Sequence, residues 1–433
     1  MDYQEALNYI HGTYKFGSKL GLENIKTLLR ELGNPEKGLK VIHVAGTNGK
    51  GSTCSMIQSV LIEAGYKVGL YTSPYIERFN ERIRINTTNI EDQELASMTE
   101  QVKRAVERML KEGFQHPTEF EIVTAIALLY YQEQKVDFVI LEVGLGGRLD
   151  ATNVISDPLL TIITPIDYDH MTYLGNTLEA IAGEKAGIIK KGRPVITGFQ
   201  HEEALEIIKK KALLLETPFY HVVPEQLEIH ESHLKSQTFS VTLFQQSYHK
   251  ITIALPGLHQ VENSMLALTA IKVLEKEGHL KIGDQELRKG LENVRWIGRL
   301  EVIHEHPIVL IDGAHNLQGA KALSKSIEML LKKRSITWVV GMLEDKDVDN
   351  VLNLLLPKVD QVIVTEPDCH RAMRGEILAE KIRQNHSKVS VEPNIEKAVT
   401  KALETTDKSD VILCAGSLYM LGAIRSLFQT ENN

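Results

Sequence analysis

An apolar run and a helix-period segment are joined by Gly46-Thr47-Asn48-Gly49-Lys50-Gly51-Ser52-Thr53. Three glycines let a backbone turn back over an anion with no Cβ in the way. Successive N–H groups and a helix amino terminus can then hold phosphate oxygens. Lys50 would neutralise charge in the β/γ region, and Ser52 or Thr53 could reach a phosphate or a magnesium ion. The match to G-x-x-x-x-G-K-[ST] is imperfect. Position 44 is valine where the first glycine should stand, and Gly51 separates Lys50 from the hydroxyl residue. The bland alternative is a ligand-free glycine turn. The strand before, the helix after and the Lys and Ser/Thr inside favour phosphate.

Other apolar runs also end in reactive groups. Lys67–Tyr71 delivers Thr72, Ser73 and Pro74; Phe138–Leu141 delivers Glu142; Leu160–Thr164 leads to Asp167, Asp169 and His170. Glu142 opens a second glycine-rich turn, Val143-Gly144-Leu145-Gly146-Gly147-Arg148-Leu149-Asp150. Taken singly, Ser73 before proline reads as a turn former, Glu142 as a surface carboxylate and His170 as a packed or solvated imidazole. Their shared position after separate strands reverses that reading, because an open parallel sheet binds ligands outside the carboxyl ends of its strands. Hard oxygen donors beside a triphosphate suit Mg²⁺, which takes few protein ligands. In the second half Ile308–Ile311 runs into Asp312-Gly313-Ala314-His315-Asn316. Asn316 reads as a helix cap, and Asp312 and His315 as nucleotide contacts. Ala415-Gly416-Ser417-Leu418-Tyr419 is a small turn into a helix whose first N–H groups could hold a carboxylate.

The elements that must position these groups alternate between strand-like and helical runs, the pattern of an α/β fold. The first series is Lys40–Ala45, Lys67–Tyr71, Asp137–Leu141, Leu159–Thr164 and Pro194–Gly198, with helices such as Ser52–Ala64 and Asp92–Lys111 between. Val, Ile and Leu on both strand faces predict a mainly parallel sheet. Gln237–Leu255 reads as an antiparallel hairpin, and a long helix follows over about Gln260–Glu277. A second series comprises Glu301–His304, Ile308–Ile311, Ile336–Gly341, Gln361–Thr365, Val389–Val391 and Asp410–Ala415. The expected organisation is a phosphate-loop domain over 1–297 and a smaller Rossmann-like α/β domain over 298–433, with a cleft between them. Ile76–Glu91, irregular in composition, reads as a mobile loop over that cleft.

Composition excludes several classes. Of 433 residues, 43% are hydrophobic and 24% charged, with a formal net charge of -8. That apolar share supports ordinary cores, and the acidic balance argues against a nucleic-acid partner. No apolar run approaches the roughly 18 to 20 residues that cross a bilayer. The start, MDYQEALNYIHG, reads as an amphipathic helix without the apolar core of a signal peptide. Cys54, Cys369 and Cys414 lie far apart, suiting neither a disulfide framework nor a zinc site. A cytoplasmic protein is expected.

Taken together, HVAGTNGKGS, TSPY, LEVGLGGRLDATN, DHMTYLG, GEKAGI, HQVEN, GRLE and DGAHN resemble the folylpolyglutamate synthases, in many bacteria bifunctional with dihydrofolate synthase. These are ATP-dependent amide ligases of the Mur-ligase superfamily, and the resemblance spans nearly the whole chain. It implies a P-loop ATPase domain that adds L-glutamate to a folate or to dihydropteroate through an acyl phosphate. Thr47, Asn48, Gly49, Lys50, Gly51 and Ser52 would bind ATP, joined by Asn263, Arg299, Asp312 and His315. Ser73, Glu142 and His170 would ligate Mg²⁺. Lys185, in GEKAGI, matches a lysine that is carbamylated in the superfamily, and the carbamate could hold a second ion. Lys50, Lys185 and His170 would act at the reacting centre. Thr118, Phe120, Asp150 and Ala151 fall where the pterin-bearing substrate sits, and by looser analogy Lys346 and Ser417 would meet the glutamate. The family also implies a monomer.

The chemistry agrees. Joining two anions as an amide requires an activated carboxylate, so positioning and charge neutralisation matter more than a covalent nucleophile. Two rivals remain. A cell-wall Mur enzyme would carry a UDP-binding domain ahead of the loop, where only 45 residues precede Gly46. A P-loop switch or motor would hydrolyse ATP without a second substrate.

Overall fold

The structure, a computed structural model, describes residues 1–14 and 21–429. The chain forms two compact units, Met1–Gln226 with Asn263–Leu291, and Leu227–Glu262 with Glu292–Asn433. This division differs from a single cut after residue 297. It falls at Leu291/Glu292, and the segment Leu227–Glu262 groups with the later residues. Among the described residues no helix is long and apolar enough to cross a membrane.

The first unit is built on eight strands: β1 Val41–Ala45, β2 Val68–Tyr71, β3 Ile83–Ile85, β4 Thr88–Asn89, β5 Phe138–Glu142, β6 Leu160–Ile163, β7 Val195–Gly198 and β8 Phe219–Val222. Their order is β4-β3-β2-β5-β1-β6-β7-β8. From β2 to β8 every pairing is parallel, as buried apolar runs joined by helical crossovers require. The chain leaves β1 towards β2 on one side and returns on the other through β6, so the ends of β1, β5 and β6 flank the point where strand order reverses. Open α/β sheets bind their ligands at such a point. In register, Val44 lies opposite Glu142 and Ala45 opposite Ile163.

Helices Asp92–Lys111 and Glu119–Glu133 bury a large cluster with Val41, Tyr71 and Leu141. Helices Leu178–Lys185 and Glu202–Leu214 cover β6 and β7 in a second cluster with Ile163 and Val195. The segment expected as a mobile loop is instead a folded edge. Phe79–Arg82 is a buried 3₁₀ turn, β3 pairs antiparallel with β2, and β4 pairs antiparallel with β3. The Glu81 carboxylate gathers the N–H groups of Ile76, Glu77 and Arg78 at 2.8, 2.9 and 2.8 Å. Irregular composition here marked a turn tied by side chains rather than an untethered loop.

The second unit carries a three-stranded antiparallel sheet, β9 Leu227–Ser232, β10 Gln237–Leu243 and β11 Gln246–Ile253, so the expected hairpin has a third strand. Its main sheet comprises β12 Glu301–Glu305, β13 Ile308–Asp312, β14 Ile336–Val340, β15 Gln361–Val364, β16 Val389–Val391 and β17 Val411–Ala415, ordered β12-β13-β17-β14-β15-β16. Only β12 runs antiparallel. Trp338 is fully buried in its core and donates its indole N–H to the Ala415 oxygen at 3.2 Å. The mixed α/β class read from the sequence holds for both units.

Candidate active site

β1 ends at Ala45 and the chain turns at once. Gly46 has φ +147°, and a Cβ there would stand 2.9 Å from the Thr164 main-chain oxygen. The N–H groups of Thr47 and Asn48 donate to the Pro165 oxygen at 3.1 and 3.4 Å, and the Thr164 hydroxyl donates to the Asn48 oxygen at 2.7 Å. The end of β6 thus clamps the loop. Gly49, at φ +85°, precedes the helix Lys50–Glu63, which starts two residues earlier than its apolar period suggested. A Cβ on Gly49 would overlap the amide of Asn263, so glycine lets that amide lie against the loop. Gly51, Ser52 and Thr53 are buried in the first helical turn.

The loop's cation is already paired. Lys50 Nζ donates to the Gly46 and Thr47 oxygens at 3.2 and 3.1 Å and stands 3.9 Å from Glu142 Oε1. The other oxygen of Glu142 accepts the Ser73 N–H at 3.3 Å. Glu142, 5% exposed, therefore joins the ends of β1, β2 and β5. A buried carboxylate beside Ser73 and a phosphate loop supplies the hard oxygens that Mg²⁺ prefers, so these residues fit that ion. His170 is placed differently. It takes a left-handed conformation (φ +50°, ψ +36°) ahead of the short helix Met171–Leu174. Its imidazole is 3.9 Å from the Asp169 carboxylate, with 45% of the side chain exposed. Among the described residues no three His, Cys, Asp or Glu side chains are grouped to hold a metal. The structure joins Ser73 to Glu142 and sets His170 beside Asp169.

Lys185, in the GEKAGI segment, is buried. It closes the helix Leu178–Lys185, and its Nζ donates to the Gly46 oxygen at 2.8 Å, the same oxygen that Lys50 uses. Burial, and then the nearby Lys50 ammonium, push its pKa down to about 7. The helix end is locked to the second glycine turn. A Cβ on Gly147 would meet the Glu184 and Lys185 oxygens at 2.8 and 3.0 Å, and Arg148 N donates to the Glu184 oxygen at 2.7 Å.

The same turn holds the other expected substrate residues. Thr118 caps the helix Glu119–Glu133, exchanging hydrogen bonds with Glu121. The Phe120 ring lies where a Cβ on Gly144 would fall, 6.0 Å from the Tyr71 ring. Asp150 is buried and works locally. It accepts the Leu145 N–H at 2.9 Å and both the N–H and hydroxyl of Thr152, and Ala151 begins the 3₁₀ turn Ala151–Val154. Burial pushes the Asp150 carboxyl upward against these donors.

Some neighbours were missed. The Arg82 guanidinium lies 5.7 Å from the Phe120 ring and 3.6 Å from Glu119, in the segment misread as mobile. Alternating polarity in Glu81-Arg82-Ile83-Arg84-Ile85 was the available signal. His43, fully buried in β1, meets the Thr152 hydroxyl at 2.9 Å, and burial lowers its pKa to about 3. Thr152 gives its proton to Asp150, so His43 Nε2–H is the donor in this chain. Nothing local in an apolar strand announces it.

In the second unit Asp312 ends β13 and is buried, accepting the N–H groups of Leu300 and Ala314, each at 2.9 Å. Burial raises its carboxyl pKa, opposed by the Arg299 guanidinium. Arg299 crosses over Gly313, and His315 Nδ1–H donates to the Gly313 oxygen at 2.8 Å. Asn316 caps the helix Leu317–Leu330 through the Gly319 N–H at 2.8 Å, the role its type suggested. Ser417 is buried after β17, with its hydroxyl accepting the Tyr419 N–H at 3.3 Å. Lys346 lies in the loop after β14, its N–H on the Leu343 oxygen at 3.3 Å.

Comparison with known proteins agrees with this layout. The Mur ligase middle domain matches residues 44–271, and the Mur ligase glutamate ligase domain matches residues 298–418. The dihydrofolate synthase/folylpolyglutamate synthase of Bacillus subtilis is 43% identical over 426 residues, 98% of each chain. The structure of Mycobacterium tuberculosis folylpolyglutamate synthase complexed with ADP superposes with a TM-score of 0.90 at 30% identity, covering 99% of both chains. E. coli FolC in complex with DHPP and ADP gives 0.87 at 29% identity, over 100% of this chain and 99% of that one. Two family models in the expected order and a relative matched from end to end leave one conclusion: the chain belongs to the folylpolyglutamate/dihydrofolate synthase family of ATP-dependent Mur-type ligases.

Proposed function

We propose that this ligase adds L-glutamate to a reduced folate and to dihydropteroate, as a monomer in the cytoplasm, with the acceptor carboxylate activated by ATP as an acyl phosphate. The observation that carries the reading is the convergence of Lys50, Lys185 and Glu142 on one loop at the ends of β1, β5 and β6. The bifunctional name of the Bacillus subtilis relative and the DHPP and ADP in the E. coli structure support the two acceptors.

In this reading the loop N–H groups and the helix Lys50–Glu63 bind the β- and γ-phosphates of ATP. Lys50 gives up its loop carbonyls for phosphate oxygens and moves negative charge off the transferring group. Asn263, Arg299, Asp312 and His315 are the further residues assigned to the nucleotide in this reading. Ser73 and Glu142, with His170 as third partner, would hold Mg²⁺, which would supply charge neutralisation during phosphoryl transfer. Lys185, whose pKa burial pushes down to about 7, can as the neutral amine add CO₂ and release a proton, leaving a carbamate, an anion in place of a cation. Thr118, Phe120, Asp150 and Ala151 hold the pterin-bearing acceptor. The amine of glutamate, placed by Lys346 and Ser417, attacks the acyl phosphate and releases phosphate.

The test is ADP release measured with ATP and Mg²⁺ alone, then with tetrahydrofolate or dihydropteroate, then with glutamate added. Turnover should require acceptor and glutamate together. ATP hydrolysis indifferent to both would return the chain to the switch class, and turnover with tetrahydrofolate alone as acceptor would remove the dihydropteroate activity.

A further inference from the structure

We infer that Arg371 receives a carboxylate of the incoming amino acid, an L-α-amino dicarboxylate, and helps set the specificity for it. This rests on the reading of the chain as a glutamate ligase with Lys346 and Ser417 at the amino-acid end.

Three loops leave the carboxyl edge of the second sheet, after β14, β15 and β17. The first two are zipped together. Glu344 N donates to the Arg371 oxygen at 3.0 Å, Met373 N donates to the Met342 oxygen at 2.9 Å, and Leu343 bridges Ala372. Arg371 is thereby held two residues from Lys346 in the facing strand of this small ladder. Its side chain reaches Tyr419, in the helix that follows the third loop. Nη1 donates to Asp345 at 3.0 Å, and Nη2 donates to the Tyr419 hydroxyl at 3.3 Å, with the guanidinium 5.9 Å from the Tyr419 ring centroid. Tyr419 in turn gives its N–H to Ser417. One guanidinium thus ties the Lys346 loop to the Ser417 loop.

The chemistry asks for a group of this kind. The attacking amine must be unencumbered, so the two carboxylates of the amino acid must be gripped elsewhere. One ammonium, Lys346, neutralises one of them. A guanidinium presents five N–H groups in a planar fork that matches a carboxylate bidentately. Here the fork holds Asp345 through a single oxygen, in a pair whose side chains are 38% and 45% exposed. Exposed pairs of this kind are weak and exchange partners readily. An incoming carboxylate can take the fork from Asp345 while Tyr419 keeps the guanidinium in place.

Steady-state KM values for L-glutamate, ATP and tetrahydrofolate should be measured on full-length wild type, Arg371→Lys, Asp345→Asn and Lys346→Ala. Arg371→Lys keeps the charge and loses the fork, and should raise the glutamate KM by roughly tenfold or more, with kcat and the other two KM values nearly unchanged. It should also narrow the preference for glutamate over glutamine. Asp345→Asn, which frees the fork, should leave the glutamate KM the same or lower. An unchanged glutamate KM in Arg371→Lys beside a raised one in Lys346→Ala would overturn the inference and leave the amino-acid edge standing. If neither variant moved it, the reading of that edge would fall and this inference with it. A rise in Asp345→Asn equal to that in Arg371→Lys would mark the pair as a structural tie and overturn the inference too.

Discussion

The two carboxyl edges of this molecule handle charge in opposite ways. At the first sheet three ionisable groups are buried, while the His170 side chain is 45% exposed. Glu142, Asp150 and Lys185 are each 5% exposed, and each is answered by main-chain groups, Ser73 N, Leu145 N and the Gly46 oxygen respectively. Around Arg371 in the second sheet the charges lie half in water, with Asp345 45% and Tyr419 46% exposed. Buried charges are costly unless paired, and burial shifts their titration. Exposed ones are cheap to hold and cheap to release. The first edge is therefore suited to fixed geometry around a phosphate, and the second to exchanging a protein carboxylate for an incoming one. Asp312 is the exception in the second unit, buried and held by two main-chain donors.

The comparison can be tested where it predicts the largest effects. Lys50→Ala should lower kcat by about 10²–10³-fold, the scale for removing a preorganised charge at a reacting group, while far-UV circular dichroism stays that of the wild type. Because Lys50 depresses the Lys185 pKa, the same variant should move that pKa upward. A Lys185 that titrates unchanged in Lys50→Ala would separate the two groups.

Lys185→Met tests the burial itself. The folded pKa of about 7 lies below the unfolded 10.5, so the unfolded chain binds more protons between those values and stability rises with pH across that window. The cost of charging the buried amine is fully present below pH 7 and is lost towards pH 10.5. Lys185→Met should remove this slope in urea titrations run at pH 7 to 9. The variant should also lose turnover. Partial rescue by short-chain carboxylic acids would support a carbamate, and full activity without them would dismiss it.

Smaller effects sharpen the contrast. Gly147→Ala places a methyl against the Glu184 and Lys185 oxygens, and should cost about 1–3 kcal/mol in urea unfolding, as overpacking does. Asp345→Asn on the open edge should change stability by less than roughly 0.5 kcal/mol. Equal losses in the two variants would erase the distinction between the edges.

Much of the fold could be read locally. Six strands of the second series and five of the first follow from apolar runs, and helix Asp92–Lys111 matches its expected range residue for residue. Short or polar strands were missed, β3, β4, β8 and β9 among them. A strand of two to six residues with charges on it owes its existence to the neighbour it pairs with. The grouping of Leu227–Glu262 with the later residues likewise follows from packing and not from chain order. Sequence continuity reports nothing about which core a segment joins, and the division falls inside the helix Leu258–Lys276.

What the amino-acid order determined alone is the set of strand–turn–helix junctions and the residue types they carry, because periodicity, glycine placement and helix caps act over a few neighbouring residues. That order is enough to name Lys50, Ser73, Glu142 and Asp312 as candidates. Only the tertiary structure decided their company. Lys185 meets Gly46 across 139 positions, and Ser73 meets Glu142 across 69. Arg371 joins loops that follow three different strands. Desolvation and pairing depend on which distant segments exclude water from a group, and packing of the whole unit settles that.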